Sequence, residues 1–185
     1  MEVEEAIEKR RSLRALDRIQ VEDERVEELI RAASLAPSCF NNQPWRFVVV
    51  RGEDALERLK DTLNRGNSWA KDASLIIAVL TREDLDCVVG TRRYYQFDVG
   101  MAVGMMMLRA EDMGLVAHAI AGFDEEAARS VLNVPEEMEL VTLVIVGKKS
   151  ENPEEKLSGS KLETEFKRPE RLPLEEIYSE DVYSL

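Results

Sequence analysis

The sequence has few of the residues on which metal centres and hydrolytic triads depend. Its 185 residues include one histidine, His118, and two cysteines, Cys39 and Cys87. A single histidine excludes a site built from several histidines and disfavours a serine–histidine–aspartate triad. The two cysteines have neither a metal-ligand spacing nor the density of a disulfide framework, so we expect no metal and reduced thiols in a cytoplasmic protein.

Positive charge and long apolar runs are also scarce. Lys and Arg total 25 against 37 Asp and Glu, which gives a formal net charge of −12. This balance argues against nucleic acid or an anionic membrane as a partner, because both bind basic surfaces. No run reaches the roughly 18 apolar residues that a membrane-spanning helix needs. Hydrophobic residues make up 44% of the chain, enough for one compact domain with its own core.

Helical and strand patterns alternate along the chain. Apolar residues at helical spacing predict helices, one of them ended by Pro37 and another capped by Asp124. These helices cover residues 2–10, 26–33, 55–63, 94–113 and 124–132. Runs rich in valine, isoleucine and leucine predict strands over residues 45–51, 75–81, 116–120 and 140–146. The alternation alone predicts a parallel, doubly wound sheet.

The predicted helix over residues 94–113 is apolar on almost every side. Such a helix is buried, either at the centre of its own domain or in a subunit interface. Gly100 and Gly104 lie four residues apart and would let another helix approach closely.

The composition changes at Lys148, where a charged segment begins. Apolar residues return in the run Leu172–Tyr178. One small domain has little spare surface on which these side chains could pack. We therefore divide the chain into a core of residues 1–147 and a C-terminal arm of residues 148–185, which belongs to the same domain and packs on a second subunit.

Three arginines and a serine lie within five residues in the run Arg10–Arg14, whose letters are RRSLR. Guanidinium groups bind phosphate oxygens bidentately, and a serine hydroxyl adds a further donor. The alternative is that these cations only stabilise the end of a helix through its dipole.

A second polar run, APSCFNNQPW, covers residues 36–45. Its amides can hydrogen-bond to a ring that carries both carbonyl and N–H groups. Proline, serine and asparagine are also ordinary turn residues, but that alternative leaves Gln43 and Trp45 unexplained.

Taken together, the runs RRSLR, APSCFNNQPWRF, AIAGF and LPLEEI resemble the FMN-dependent nitroreductase family. The resemblance extends from Arg10 to Glu176. It implies an α+β fold, a three-layer α/β/α sandwich around a mostly antiparallel sheet, in an intertwined homodimer. This implication replaces the parallel sheet predicted from the alternation. It also implies FMN as cofactor and NADH or NADPH as co-substrate, in agreement with the absence of the G-x-G-x-x-G dinucleotide motif.

The resemblance assigns flavin-binding roles to specific residues. At the phosphate it places Arg10 and Ser12, assisted by Arg11, together with Arg171 or Arg168. Arg14 would reach the pyrimidine end of the flavin ring. The remaining predicted contacts, from the other subunit or around the ring, are Pro37, Ser38, Cys39, Asn41, Gln43, Asn67, Ile120, Ala121 and Gly122.

The implied reaction is ping-pong transfer of a hydride from NAD(P)H, through flavin N5, to a nitroaromatic, a quinone or a similar acceptor. No catalytic side chain is expected, because the cofactor carries the chemistry. The alternatives are a specialised reductase such as a dehalogenase, or a flavin-binding protein without turnover. Tyr94, Tyr95 and Phe97 are candidates either for a substrate channel or for aromatic packing at the dimer interface. His118 is expected to be structural.

Overall fold

The computed structural model of the chain describes residues 1–184. These residues form a five-stranded sheet with helices on both faces. The sheet strands are β1 (Leu16–Asp17), β2 (Arg46–Val50), β3 (Leu75–Thr81), β6 (Leu115–Ile120) and β7 (Glu139–Lys149). A separate hairpin consists of β4 (Val88–Val89) and β5 (Arg92–Arg93). The helices are α1 (Val3–Lys9), α2 (Asp23–Ser34), α3 (Glu53–Lys60), α4 (Tyr95–Asp112), α5 (Glu125–Leu132) and α6 (Gly159–Phe166).

The long strand β7 lies at the centre of the sheet. Its residues Leu143–Val146 pair with β3 on one side and with β6 on the other. Further along, Lys148 and Lys149 pair with β1, which continues the line of β3. Every pairing in the sheet is antiparallel. The fold implied by the family resemblance is therefore confirmed, and the parallel sheet predicted from the alternation alone is wrong.

The parallel prediction fails at three connections. The chain passes through α3 between β2 and β3 and through α5 between β6 and β7, yet each of these pairs is antiparallel. The third connection is a crossover. The chain passes from β3 through α4 to β6, and these two strands do point the same way because both are antiparallel to β7. They are not neighbours, since the later strand β7 lies between them. A sequence pattern of alternating helices and strands does not reveal such an insertion.

The sheet separates two apolar layers, and alternate residues of β3 face each of them. Ile76, Ala78 and Leu80 pack into the layer that contains Leu56 and Leu59 of α3. The layer on the other face takes the intervening residues of β3 and the inner sides of α2 and α4. All seven residues of β3 are buried, as the apolar run predicted. No helix among the described residues is long and apolar enough to cross a bilayer.

The helix α4 buries one side and leaves an apolar side uncovered. Residues such as Val99, Ala102 and Met106 are buried against the sheet. On the opposite side, the side chains of Phe97 and Met105 are 63% and 38% exposed. The interface predicted for this helix therefore has an apolar surface available, and the homodimer stays a prediction.

The segment after β7 consists of two parts with different environments. The strand itself runs two residues past the predicted core boundary at 147, because Lys148 and Lys149 pair with β1. Between residues 153 and 166 the chain packs on its own core, where Leu157 and Glu165 are buried. From residue 167 onward most side chains are exposed. The exposed apolar side chains there include Leu172, Leu174, Ile177, Tyr178, Val182 and Tyr183.

Candidate functional site

A pocket of about 190 Å³ forms where the N-terminal arginine run meets the segment that follows α6. Its lining contains five arginines, one serine and no carboxylate. The lining residues are Arg10, Arg11, Ser12, Arg14, Thr164, Arg168, Pro169 and Arg171. Every residue predicted at the phosphate thus lies in one pocket, although the two contributing segments are far apart in the chain. We call it the arginine pocket.

Two of the arginines hold the walls of the pocket together. Arg11 donates to the backbone carbonyls of Thr164 and Glu165, the latter at 3.1 Å. Arg168 donates to the carbonyl of Arg10 at 2.9 Å. These bonds join the first segment to the second and occupy part of the hydrogen-bonding capacity of both guanidinium groups.

Among the arginines of the pocket, Arg10 has the side chain with the fewest hydrogen bonds to the described residues. Its Nη1 is buried and has no hydrogen-bond partner among residues 1–184. Burial lowers the pKa of Arg10, and the nearby charges of Arg168 and Arg171 lower it further, whereas the carboxylate of Glu111 raises it by a smaller amount. A buried cationic donor beside two like charges is stabilised by an anion. The arginine pocket therefore fits the phosphate of FMN.

The base of the pocket is held by Glu165 of α6. This buried carboxylate accepts hydrogen bonds from the backbone N–H groups of Arg14, at 3.0 and 3.1 Å, and of Ala15, at 2.9 Å. The interaction fixes the backbone of Arg14 and attaches α6 to the core. Because the acceptor is charged, each bond is stronger than a neutral one.

His118 connects the arginine run to the loop before β3. Its Nδ1 lies 3.0 Å from the carbonyl oxygen of Leu13, and its ring stacks on Trp69 with centroids 4.7 Å apart. Desolvation by burial lowers the pKa of His118 from 6.5 to about 4. The imidazole is therefore neutral near pH 7, and its packed, hydrogen-bonded position matches the structural role expected for it.

Asn67 and Gly122 meet beside Trp69. The side-chain amide of Asn67 donates to the carbonyl of Gly122 at 2.9 Å, and its oxygen accepts from Trp69 Nε1 at 3.2 Å. A Cβ at position 122 would lie 2.7 Å from Asn67 Nδ2. Within the chain, the glycine thus makes room for the asparagine, and the segment Ile120–Gly122 lies beside the same side chain.

The helix α6 links this second group to the arginine pocket. Lys161 donates to the carbonyl of Gly66 at 2.6 Å, next to Asn67. One turn further along α6, the hydroxyl of Thr164 lies 3.4 Å from Arg14 Nη1. Arg14, Asn67 and Gly122 therefore belong to one region of the surface, adjacent to the arginine pocket.

The loop that carries Pro37, Ser38, Asn41 and Gln43 lies elsewhere in the chain. Ser38 Oγ accepts from the backbone N–H of Gln43 at 3.0 Å, and Gln43 Nε2 donates to the carbonyl of Asn41 at 3.3 Å. The values of φ at Phe40, Asn41 and Gln43 are 48°, 59° and 51°, in the left-handed region. None of these residues lines the arginine pocket. Their predicted flavin contacts, from the other subunit or at the ring edge, stay predictions.

The two cysteines are paired, which corrects the expectation of reduced thiols. Cys39 and Cys87 form a disulfide with their Cα atoms 6.0 Å apart. A separation of 48 residues gives no indication of proximity in space, so the sequence did not reveal the pairing. The bond joins the Pro37–Gln43 loop to the hairpin that precedes α4.

The aromatic residues at the start of α4 have different environments. Tyr95 is buried, and its hydroxyl donates to Glu139 at 3.0 Å, so it belongs to the core. Tyr94 and Phe97 make an edge-to-face contact with centroids 6.4 Å apart, and Phe97 is exposed. These two continue the uncovered apolar side of α4.

A family model describing the nitroreductase family matches residues 7–148 of the chain. The chain belongs to this family. This nitroreductase-family protein is an FMN-dependent NAD(P)H oxidoreductase, so the predictions of family, cofactor and enzyme class are confirmed.

Several proteins are similar to this nitroreductase-family chain. An NADH dehydrogenase of Thermus thermophilus is 29% identical over 170 residues, which cover 75% of this chain and 82% of that protein. The 5,6-dimethylbenzimidazole synthase of Rhodospirillum rubrum is 30% identical over 168 residues, covering 75% and 77%. A solved structure described as an oxidoreductase containing FMN superposes with a TM-score of 0.85 at 26% identity, covering 97% of this chain and 91% of that one.

Proposed function

We propose that the arginine pocket binds the phosphate of FMN, and that the enzyme passes a hydride from NAD(P)H to a nitroaromatic, a quinone or a similar acceptor by a ping-pong mechanism. The observation that supports this most directly is the buried Nη1 of Arg10, which has no partner among residues 1–184. An anion in the pocket would supply the missing acceptor and offset the repulsion among the arginines.

The roles of the pocket residues follow from the bonds that each already makes. Arg11 and Arg168 donate to backbone carbonyls and shape the pocket. Arg10, with its free buried donor, contacts a phosphate oxygen, and the exposed Ser12 adds a hydroxyl. Among residues 1–184, Arg171 donates only to the neighbouring carbonyl of Pro169, at 3.2 Å. It is therefore the C-terminal arginine better placed to turn toward the phosphate.

The flavin ring would extend from the pocket toward Arg14, Asn67 and Gly122. Positive charge from Arg14 at the pyrimidine end favours the anionic reduced form of a flavin, which supports hydride acceptance. Next to that position, the exposed Ala121 provides polar backbone groups. Asn67, whose side-chain amide is bonded to the carbonyl of Gly122, provides an amide group. When bound, FMN supplies the hydride-transfer chemistry itself, and the chain's residues bind and orient it.

A second copy of the chain would complete the site. The uncovered side of α4 and the exposed apolar residues after 167 are surfaces on which another subunit can pack. The exposed Pro37 and Asn41 lie outside the arginine pocket, as expected if they contact the flavin of the partner subunit. We therefore retain the intertwined homodimer as part of the proposal.

Binding of FMN and of riboflavin to Arg10→Ala tests the phosphate assignment. A charge-assisted hydrogen bond contributes about 1.5–3 kcal/mol, so FMN affinity should fall roughly 10- to 100-fold. Riboflavin lacks the phosphate, and its affinity should change little. Fluorescence quenching measures both. Arg58→Ala, at an exposed position of α3, is the matched control.

Arg14→Ala should weaken both ligands alike and lower the flavin reduction potential, because the reduced flavin loses a nearby cation. If Arg10→Ala weakens riboflavin as strongly as FMN, the phosphate assignment is wrong. The arginine run would then act mainly at the end of α1.

The similarity to a 5,6-dimethylbenzimidazole synthase favours a second candidate, a specialised reaction on one metabolite. Anaerobic addition of NADH separates the possibilities. Bleaching of the yellow protein, followed by reoxidation with a panel of nitroaromatics and quinones, supports the general reductase. A flavin that NADH does not bleach supports the specialised enzyme or a protein without turnover.

A further inference from the structure

The disulfide lies within a cluster of groups outside the arginine pocket, although Cys39 is also one of the predicted flavin contacts. One carboxylate oxygen of Asp86 and the sulfur atoms of Cys39 and Cys87 all lie within 4.8 Å of one another. All three residues are partly buried. We call this group the Cys39–Cys87 cluster.

Two carboxylates at the cluster lack a positive partner. Asp86 Oδ2 is buried and accepts no hydrogen bond from any of residues 1–184. Asp98 is 1% exposed, and its Oδ2 accepts from the backbone N–H of Cys39 at 2.7 Å. Within the same residues, neither carboxylate forms an ion pair with a lysine or an arginine. The two carboxyl groups also lie within hydrogen-bonding reach of each other, so a shared proton compensates one of the two charges. The remaining negative charge is costly to bury, and a bound cation would compensate it.

We propose that the reduced form of the Cys39–Cys87 cluster binds a divalent metal ion of the Zn²⁺ class. The ligands are the thiolates of Cys39 and Cys87 and a carboxylate oxygen of Asp86. Zn²⁺ takes sulfur and carboxylate ligands in a tetrahedral arrangement, and three protein ligands leave a fourth position for water. The ion supplies the positive charge that Asp86 and Asp98 lack.

Converting the disulfide to the zinc-binding form requires a two-electron reductant, and a dithiol supplies both electrons. The dithiol reduces the disulfide by two electrons, gives two protons to Cys39 and Cys87, and itself becomes a disulfide. Zn²⁺ then displaces the two thiol protons, because the metal binds the thiolates. The metal and the disulfide exclude each other, since thiolates sharing one Zn²⁺ lie roughly 3.8 Å apart at Zn–S distances of about 2.3 Å.

The position of the cluster connects it to the flavin-site loop. Asn42 Nδ2 lies 3.3 Å from Asp86 Oδ1, and the backbone of Cys39 is bonded to Asp98 of α4. Either the disulfide or the ion therefore holds the Pro37–Gln43 loop against the segment before the hairpin, while the bond from Cys39 N–H to Asp98 holds it against α4. The metal site itself does not depend on the flavin proposal, because no pocket residue is among its ligands.

Zinc uptake by the wild-type protein in its two redox states tests the proposal without any variant. The protein is reduced with dithiothreitol, which is removed anaerobically, and Zn²⁺ is then added and the excess dialysed away. Metal analysis should find one Zn²⁺ per reduced chain and none per oxidised chain. With Co²⁺ as the probe, the reduced protein should show a thiolate-to-cobalt absorption band. Equal zinc content in the two states, or no uptake by the reduced chain, would overturn the proposal.

Substitutions then identify the ligands. Cys87→Ser should abolish the cobalt band. Asp86→Asn should weaken Zn²⁺ binding at least about tenfold, since even residues that only support metal ligands contribute 10- to 100-fold. Asp84→Asn, at an exposed position two residues away, is the control and should bind as wild type does. Undiminished binding by Cys87→Ser would place the ion elsewhere.

Discussion

Single buried polar residues organise the region between the arginine run and the loop before β3. His118 joins Leu13 to Trp69, Glu165 binds the backbone of Arg14, and Asn67 joins Trp69 to Gly122. Each of these groups is satisfied within the chain, in contrast to Arg10. This contrast indicates which side chains support the site and which are available to bind a ligand.

The lowered pKa of His118 makes stability depend on pH in a defined direction. The folded state holds the imidazole neutral, with a pKa of about 4, whereas the unfolded chain binds a proton near pH 6.5. The stability due to neutral His118 is therefore full above pH 6.5 and is lost as the pH falls toward 4. The loss by pH 4 is about 3 kcal/mol.

Urea unfolding of wild type and His118→Gln between pH 7 and pH 4 measures this effect. Glutamine does not titrate, and the carboxylates common to both proteins cancel in the difference. The stability gap between wild type and variant should shrink by about 3 kcal/mol as the pH falls. A gap that stays constant across this range would show that the pKa of His118 is the same in the folded and the unfolded chain.

Some site residues were recognisable from the sequence because their chemistry is local. Arg10, Ser12 and Arg14 lie in one short run, and the structure places all three in the arginine pocket. Asp86 and Asp98 were missed, because their significance comes only from their closeness to Cys39 and Cys87. The disulfide was missed for the same reason. A contact between residues that are distant in sequence produces no recognisable pattern in the local sequence around either residue.

At the scale of elements, α6 is the connection between the last strand and the arginine pocket. It was not predicted, because its sequence GSKLETEF is mostly polar and has few apolar residues at helical spacing. The strand β3 was predicted with its observed bounds, since a continuous apolar run has few alternatives. The predicted cap of α5 is also confirmed, with Asp124 Oδ1 accepting from the N–H of Ala127 at 3.0 Å.

Glu165→Ala should detach α6 from the core. It leaves the N–H groups of Arg14 and Ala15 without an acceptor, which should cost about 2–3 kcal/mol of unfolding free energy. FMN affinity should fall as well, because the pocket segment after α6 loses its anchor. Denaturant unfolding and flavin titration measure the two effects.

The matched control is Glu163→Ala, whose exposed side chain lies on the same helix. It should stay within about 0.5 kcal/mol of wild type. Equal effects of the two substitutions would mean that Glu165 does not anchor the helix.

At the scale of the whole molecule, the acidic chain exposes apolar side chains in several places, including α1 and Phe40. Two of these places are the uncovered side of α4 and the segment after residue 167. The net charge of −12 disfavours close approach of two copies, so association depends on burying these apolar side chains. The proposed dimer would bury both surfaces.

Serine substitution of Leu172, Leu174 and Ile177 together tests the role of the arm while keeping Arg168 and Arg171. Burial of each apolar side chain contributes on the order of 1.5–3 kcal/mol. The dimer dissociation constant should therefore rise at least about 100-fold. Sedimentation measures association, and the ratio of flavin to protein absorbance measures cofactor content, which should fall with the dimer.

The control is the double variant Glu175→Ser, Glu176→Ser, at two exposed positions in the same segment. It should leave association unchanged. A triple variant as dimeric as wild type would show that the arm does not hold the subunits together.

The placement of β7 and of the arginine pocket also determines when during synthesis the protein can become functional. On the ribosome, β3 and β6 emerge without the strand that lies between them, so their edges stay unpaired until residues 139–149 follow. Arg11 emerges early but finds its acceptors at Thr164 and Glu165 only near the end of translation. A nascent chain therefore has no complete anion pocket. With the arginine pocket as the proposed FMN site, cofactor loading would be a late event in biogenesis, and exposed strand edges make the unfinished chain prone to aggregation.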